Sequence, residues 1–276
     1  LPTNVKIALN PTTFRYTLRP KQNTCMKPTS ANHRAPKPAK PEIVHTDDAI
    51  VLVNKPAGVW PREGIFDVPG VFDMFEGEPG DLHQIYPLEM EVSGLALYAR
   101  SEAIAEKLVS AFDNGEARVY YHCIVGISMF TEEGVLQSKI DDRAVRDSGL
   151  FGICDYDAHQ TDWKKLDGFV GFALLECSPQ QRTPLQVRKH LGDNQMHLAV
   201  DPLTGGGREL LLSSFKKGYR KSKRRPERPL IQRPSLNLQR VTFPHPESGD
   251  IVNAEAEPPK DFRATLNQLD RYARAH

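Results

Sequence analysis

Glu89 and Glu91 stand two residues apart in a stretch, residues 84–98, that also holds Pro87 and a Ser93-Gly94 pair ahead of an apolar run. Proline lacks a backbone N–H and clashes with a preceding helical turn, so Glu89 cannot lie in an ordinary helix interior. A carboxylate on an irregular loop at the mouth of a buried strand is a common way to present a reactive group. The same wording also serves as a turn before a strand. A converging Glu89/Glu91 pair would suit a metal or glycosidase-like chemistry, but alternate loop residues usually point apart, so we expect neither. A second group of side chains lies at Arg182, Gln186, Arg188, Lys189 and His190. His190 and His197 have no partner spacing and read as structural.

The chain has 276 residues, enough to bury a real core, and a formal net charge of +1. The distribution of charge says more than the total. Residues 1–41 contain no acid and carry Lys6, Arg15, Arg19, Lys21, Lys27, Arg34, Lys37 and Lys40, whereas the middle is acidic. A basic run returns at residues 216–228, with Lys216, Lys217, Arg220, Lys221, Lys223, Arg224 and Arg225 around Tyr219. Runs of this kind are often solvated loops; they also serve as phosphate contacts. No window approaches eighteen apolar residues, so no membrane span is expected. The cysteines, Cys25, Cys123, Cys154 and Cys177, form no C-x-x-C pair and no metal-site spacing. They read as reduced thiols, which suggests a cytoplasmic setting. The basic N-terminus has no apolar core of a secretory signal, and an organelle transit peptide stays open.

Residues 1–41 form a basic, Pro-rich extension, expected to wrap on the surface or stay mobile, and residues 42–276 one domain. Within that domain, residues 43–53 predict a hairpin with its turn at Asp47-Asp48. Asn54-Lys55-Pro56-Ala57-Gly58 breaks it, and residues 59–82 are loop-rich. Ser101 can cap a helix through about Asn114, with Ile104, Leu108 and Phe112 on one face. Residues 118–127, 168–177, 210–215 and 236–243 predict strands, and 261–272 a closing helix. Strands outnumber helices and do not alternate with them, so the fold class is α+β with a mainly antiparallel sheet.

The order of segments resembles the RluA-type RNA pseudouridine synthase family. The family's N-K-P-A-G is intact at 54–58. Its H-R-L-D-x-x-T-S-G-L corresponds to Tyr86-Pro87-Leu88-Glu89-Met90-Glu91-Val92-Ser93-Gly94-Leu95. Its R-Y-L-A-L-V corresponds to the segment around Tyr121, and its R-T-H-Q-I-R-V-H-L to Arg182 through Leu191, one residue longer here. Its G-D-P-L-Y-G corresponds to residues 200–205. The resemblance spans about residues 42–269 and implies a pseudouridine synthase fold with a cleft, acting on RNA (rRNA or tRNA) as a monomer without cofactor or metal.

The departures fall on the chemistry. The family's catalytic Asp falls on Glu89, its nucleotide-displacing Arg on Pro87 and its His on Tyr86. The resemblance assigns Arg188 as the cation that keeps the carboxylate ionised and Tyr121 as the aromatic that stacks on the flipped base; Lys55, and the basic run by its charge between two strands of such a fold, are expected RNA contacts. Without it, Tyr121 would read as a core aromatic, and Arg188 and Arg182 as surface residues. Glu89 keeps the charge and adds a methylene, which can move its oxygens by roughly an ångström. Three readings stay open: an active synthase using Glu89, an RNA-binding pseudoenzyme, and a different reaction on the same scaffold.

Overall fold

The computed structural model describes residues 39–65, 68–74, 82–127, 131–138, 159–201, 203–204, 209–220 and 226–274. Cys25, Cys154, residues 1–38 of the basic extension, and Lys221, Lys223, Arg224 and Arg225 lie outside them.

The first hairpin follows from its turn residue. Asp47 Oδ1 accepts from the N–H groups of Ala49 and Ile50, both at 2.8 Å, which turns β1 (Glu42–Thr46) into β2 (Ile50–Lys55). β2 pairs antiparallel with β4 (Ser93–Ala99), from Ile50↔Ala99 to Lys55↔Gly94. Every residue of β4 is buried, as its near-continuous apolar sequence requires of a strand covered on both faces. The short β3 (His83–Gln84) pairs β4 just before the loop that carries Glu89.

The sheet runs β1-β2-β4-β9-β5-β8-β7-β6, with β5 (Arg118–Val125), β6 (Glu133–Ser138), β7 (His159–Phe169), β8 (Phe172–Pro179) and β9 (Leu236–Pro244). β10 (Ile251–Glu255) pairs β9 off this path. Among the described ladders only β4–β9 is parallel, and it is short: Ser93↔Asn237 and Gly94↔Leu238. Gly94 is required there. Its φ is +122°, and a Cβ would sit 2.1 Å from the Leu238 carbonyl oxygen.

Alternation along β5 and β8 separates the two faces. Tyr121, Cys123, Leu175 and Cys177 join the core that holds Phe112 of α1 (Glu102–Asp113) and Val187 and Leu191 of α2 (Gln186–Asp193). Ile124 and Leu174 point the other way, into a second core under α3 (Lys260–Ala273) with Phe262 and Leu269. Ser101 caps α1 as expected, its hydroxyl accepting from Ile104 N at 3.3 Å.

Two predicted strands are corrected. Residues 168–177 are a hairpin, the end of β7 and most of β8, and its turn is hidden in an apolar run; Gly171, at φ +79°, makes it. Residues 210–215 hold a 3-10 turn at Leu212–Ser214, with only Leu210 fully packed, so no strand-like alternation of burial exists there. Arg188, read from the residues alone as a surface position, is 2% exposed on α2.

Candidate active site

The loop that carries Glu89 is held at both ends by groups from other elements. Lys55 Nζ, fully buried, donates to the carbonyls of Pro56 at 3.1 Å, Val59 at 2.9 Å and Met90 at 3.1 Å. Those three acceptors use the full complement of N–H groups on an ammonium. Gly58 N reaches the same Met90 carbonyl at 2.9 Å. The N-K-P-A-G turn is therefore a clamp on the residue after Glu89, and the expectation that Lys55 contacts RNA is overturned: no part of it faces solvent. Burial pulls its pKa down to about 7, against the raising effect of Glu89. At the other end Arg182 Nη1 donates to the Ile85 carbonyl at 2.8 Å and Nε faces Asp113 at 3.3 Å, so Arg182 is a structural brace rather than a surface residue.

Glu89 is packed between these clamps with its side chain 12% exposed. Oε1 accepts from the backbone N–H of Leu185 at 3.1 Å. Leu185 stands immediately before α2 with φ 61° and ψ 4°, a left-handed conformation that a side-chain-bearing residue adopts at a cost of about 1–3 kcal/mol. It lies in the motif segment that is one residue longer than the family pattern. Oε2 lies 3.6 Å from Arg188 Nη1, is buried, and accepts no hydrogen bond.

Arg188 is the hub. Its Nε and Nη2 form a two-pronged pair with Asp201, at 3.1 and 2.5 Å, and its Nη1 donates to Glu91 Oε2 at 3.2 Å. Asp201 is itself saturated, accepting from Leu203 N at 2.9 Å and Thr204 Oγ1 at 3.1 Å. One guanidinium thus faces three carboxylates. Burial raises the Glu89 pKa above its ordinary 4.5; Arg188 and the Leu185 N–H oppose this, and the negative Asp201 and Glu91 add to it. Glu91, expected to point away, converges with Glu89 on the same nitrogen, because the loop turns at Met90 and Glu91.

The aromatic wall is a pair. Tyr86 and Tyr121 are each 4% exposed with ring centroids 6.4 Å apart, and Phe112 backs Tyr86 at 5.5 Å. Burial, Tyr86 and Glu89 all push the Tyr121 phenol well up, so it stays neutral across physiological pH. A buried carboxylate beside a guanidinium and a neutral phenol can attack or deprotonate an electrophilic carbon in an enclosed apolar space.

The structure therefore brings Glu89, Arg188 and Tyr121 together. It does not bring the described start of the basic run to them. Lys216 Nζ lies 4.3 Å above the ring of Tyr272 on α3, and Phe215 packs on Phe172, so the described start of the run sits on the α3 side of the sheet. Lys217 and Arg220 are exposed. The Leu185 N–H, Asp201 and Glu91 are the site residues that sequence reasoning missed as such; the extra residue after Thr183 was the one signal for the first. Among the described residues no His/Cys/Asp/Glu group is arranged to hold a metal, and no helix is long and apolar enough to cross a membrane.

The family model described as RNA pseudouridylate synthase matches residues 49–193, more than half of the chain. The ribosomal large subunit pseudouridine synthase D of Neisseria meningitidis serogroup B is 27% identical over 245 residues, covering 85% of this chain and 62% of that protein. The dual-specificity RNA pseudouridine synthase RluA of Haemophilus ducreyi is 25% identical over 233 residues, covering 79% of this chain and 93% of that one. This chain thus spans somewhat less than two thirds of the first relative's length and nearly all of the second's. Among solved structures, human RNA pseudouridylate synthase domain containing 4 superposes with a TM-score of 0.58 at 17% identity, over 83% of this chain and 93% of that one, a likeness of fold. With these matches laid over the clamped carboxylate loop, this chain belongs to the RNA pseudouridylate synthase family.

Proposed function

We propose that this chain isomerises uridine to pseudouridine in structured RNA, rRNA or tRNA, with Glu89 as the reacting carboxylate. The observation that carries this is the placement of Glu89 beside Arg188 and Tyr121 on a loop clamped by Lys55 and Arg182. In the reaction the N1–C1′ bond breaks, the uracil turns, C1′ bonds to C5, the C5 proton is released and N1 takes one up. Glu89 attacks C1′ or removes a proton, and Tyr121 packs on the displaced base. Pro87 places no cation in the nucleic-acid stack, so base displacement rests on the rest of the loop. The exposed Lys217 and Arg220, and the further cations Lys223, Arg224 and Arg225 of the same run, contact RNA phosphates, so affinity falls steeply with salt. The protein works as a cytoplasmic monomer.

A second reading, an RNA-binding protein without catalysis, is favoured by one observation: Glu89 Oε2 is buried and accepts no hydrogen bond, which disfavours the ionised form. Tritium release from 5-tritiated uridine in bulk RNA separates the two. The synthase reading expects release by the wild type and none by Glu89→Gln, with RNA binding kept. The scaffold reading expects no release, and RNA binding indifferent to Glu89→Gln yet lost on charge reversal at Lys223, Arg224 and Arg225.

A further inference from the structure

The guanidinium of Arg188 has two edges. One is closed by Asp201, which is buried and fully bonded, so it offers Glu89 nothing. The other is Nη1, and here Glu91 at 3.2 Å outcompetes Glu89 at 3.6 Å. Glu91 makes the hydrogen bond, although its side chain is 43% exposed and water could serve it; Glu89, which water barely reaches, goes without. We propose that Glu91 is a positioning residue for Glu89: its carboxylate takes the nearer place at Arg188 Nη1 and sets a second negative charge beside Glu89, and so sets the pH at which Glu89 gives up its proton.

The groups that face Glu89 leave Glu91 as the adjustable one. From α2 come Arg188 and, at its entry, the Leu185 N–H; Asp201 follows on the next segment. From β2 comes Lys55, whose N–H groups are all committed to carbonyls. From β5 and the loop itself come Tyr121 and Tyr86, both neutral phenols. Removing Asp201, Arg188 or Lys55 would break buried structure. Glu91 alone is reachable from solvent and removable without a cavity. Glu91→Gln keeps the size and an amide oxygen for Nη1 and removes only the charge, so Arg188 is left with one fewer carboxylate to satisfy. With that like charge gone, Glu89 should ionise at a lower pH, by up to about one unit, since Glu91 is 43% exposed and water screens part of its charge.

The consequence for catalysis rests on the synthase reading, but the titration does not. The experiment is carbon-13 NMR of the protein labelled at the glutamate side-chain carboxyl carbon. The Glu89 resonance is assigned by its loss in Glu89→Gln and titrated in the wild type and in Glu91→Gln. The expected result is a midpoint lower by up to about one unit in Glu91→Gln, with Glu91→Asp between the two. An unchanged or raised midpoint overturns the proposal. Tritium release is measured on the same samples, and its acidic limb should move to lower pH with the midpoint. If the midpoint moves and neither protein releases tritium, the proposal stands and the synthase reading falls. If both release tritium and the midpoint is fixed, the reverse holds.

Discussion

Lys55 and Glu89 are two buried ionisable side chains on neighbouring segments, and the fold treats them in opposite ways. Lys55 has three acceptors for three N–H groups. Glu89 has one donor at 3.1 Å, a cation at 3.6 Å shared with two other carboxylates, and an oxygen with no hydrogen bond. A charge that only holds structure is saturated. A charge kept for chemistry is left short, so that a reacting group can complete it.

The contrast predicts that substitutions at the two positions trade places between activity and stability. The largest effect is expected for Glu89→Gln, which should lower pseudouridine formation by about 10³-fold or more in tritium release while leaving the fold intact. Retained turnover would remove Glu89 from the chemistry. Lys55→Met should cost about 3–5 kcal/mol in urea unfolding, because it strands three carbonyls, that of Val59 buried and those of Pro56 and Met90 partly so. A loss below about 1 kcal/mol would mean that water reaches the clamp and that the contrast fails. Glu89→Asp should fall about a hundredfold in activity, since the shorter side chain withdraws from the Leu185 N–H that the loop geometry serves.

The smallest effect is in the pH dependence of stability. The folded state raises the Glu89 pKa above its ordinary 4.5, so it favours the protonated form. The stabilisation this gives is complete below about 4.5 and is lost as pH rises through the raised value. Glu89→Gln has no such loss. Its stability relative to wild type should therefore climb as pH rises from 4, measured by urea unfolding at each pH. A flat difference would mean that Glu89 titrates as it does in the unfolded chain.

Much of the scaffold was legible because its signals are local. Asp47 announced the first turn, Ser101 the start of α1, and the spacing of Phe262, Leu266 and Leu269 the last helix. The helix that carries Arg188 was not. It is eight residues long, follows Pro184, and begins after a left-handed Leu185 with no side-chain cap, so none of the usual start signals is present. The β7–β8 hairpin was masked by the apolar residues around Gly171. Within the site, Glu89, Tyr121 and Arg188 could be named from motif order. The burial of Lys55 could not, because a lysine in a turn reads as exposed until a second segment, here Met90, folds over it. The convergence of Glu91 on Arg188 is likewise a property of the loop's turn at residues 90–91, not of the spacing of two glutamates.

The parallel pairing of β4 with β9 carries one more consequence. Ser93, four residues after Glu89, hydrogen-bonds to Asn237 at 2.7 Å across 144 residues of chain. Closing so large a loop is slow, and during synthesis the N-terminal strands emerge long before their partner. The β9 side of the Glu89 loop therefore stays unpaired on the ribosome until β9 has left the exit tunnel, while β2 and Lys55 already hold its other side, and a nascent chain that ends between Arg188 and β9 carries Glu89, Tyr121 and Arg188 without a finished site.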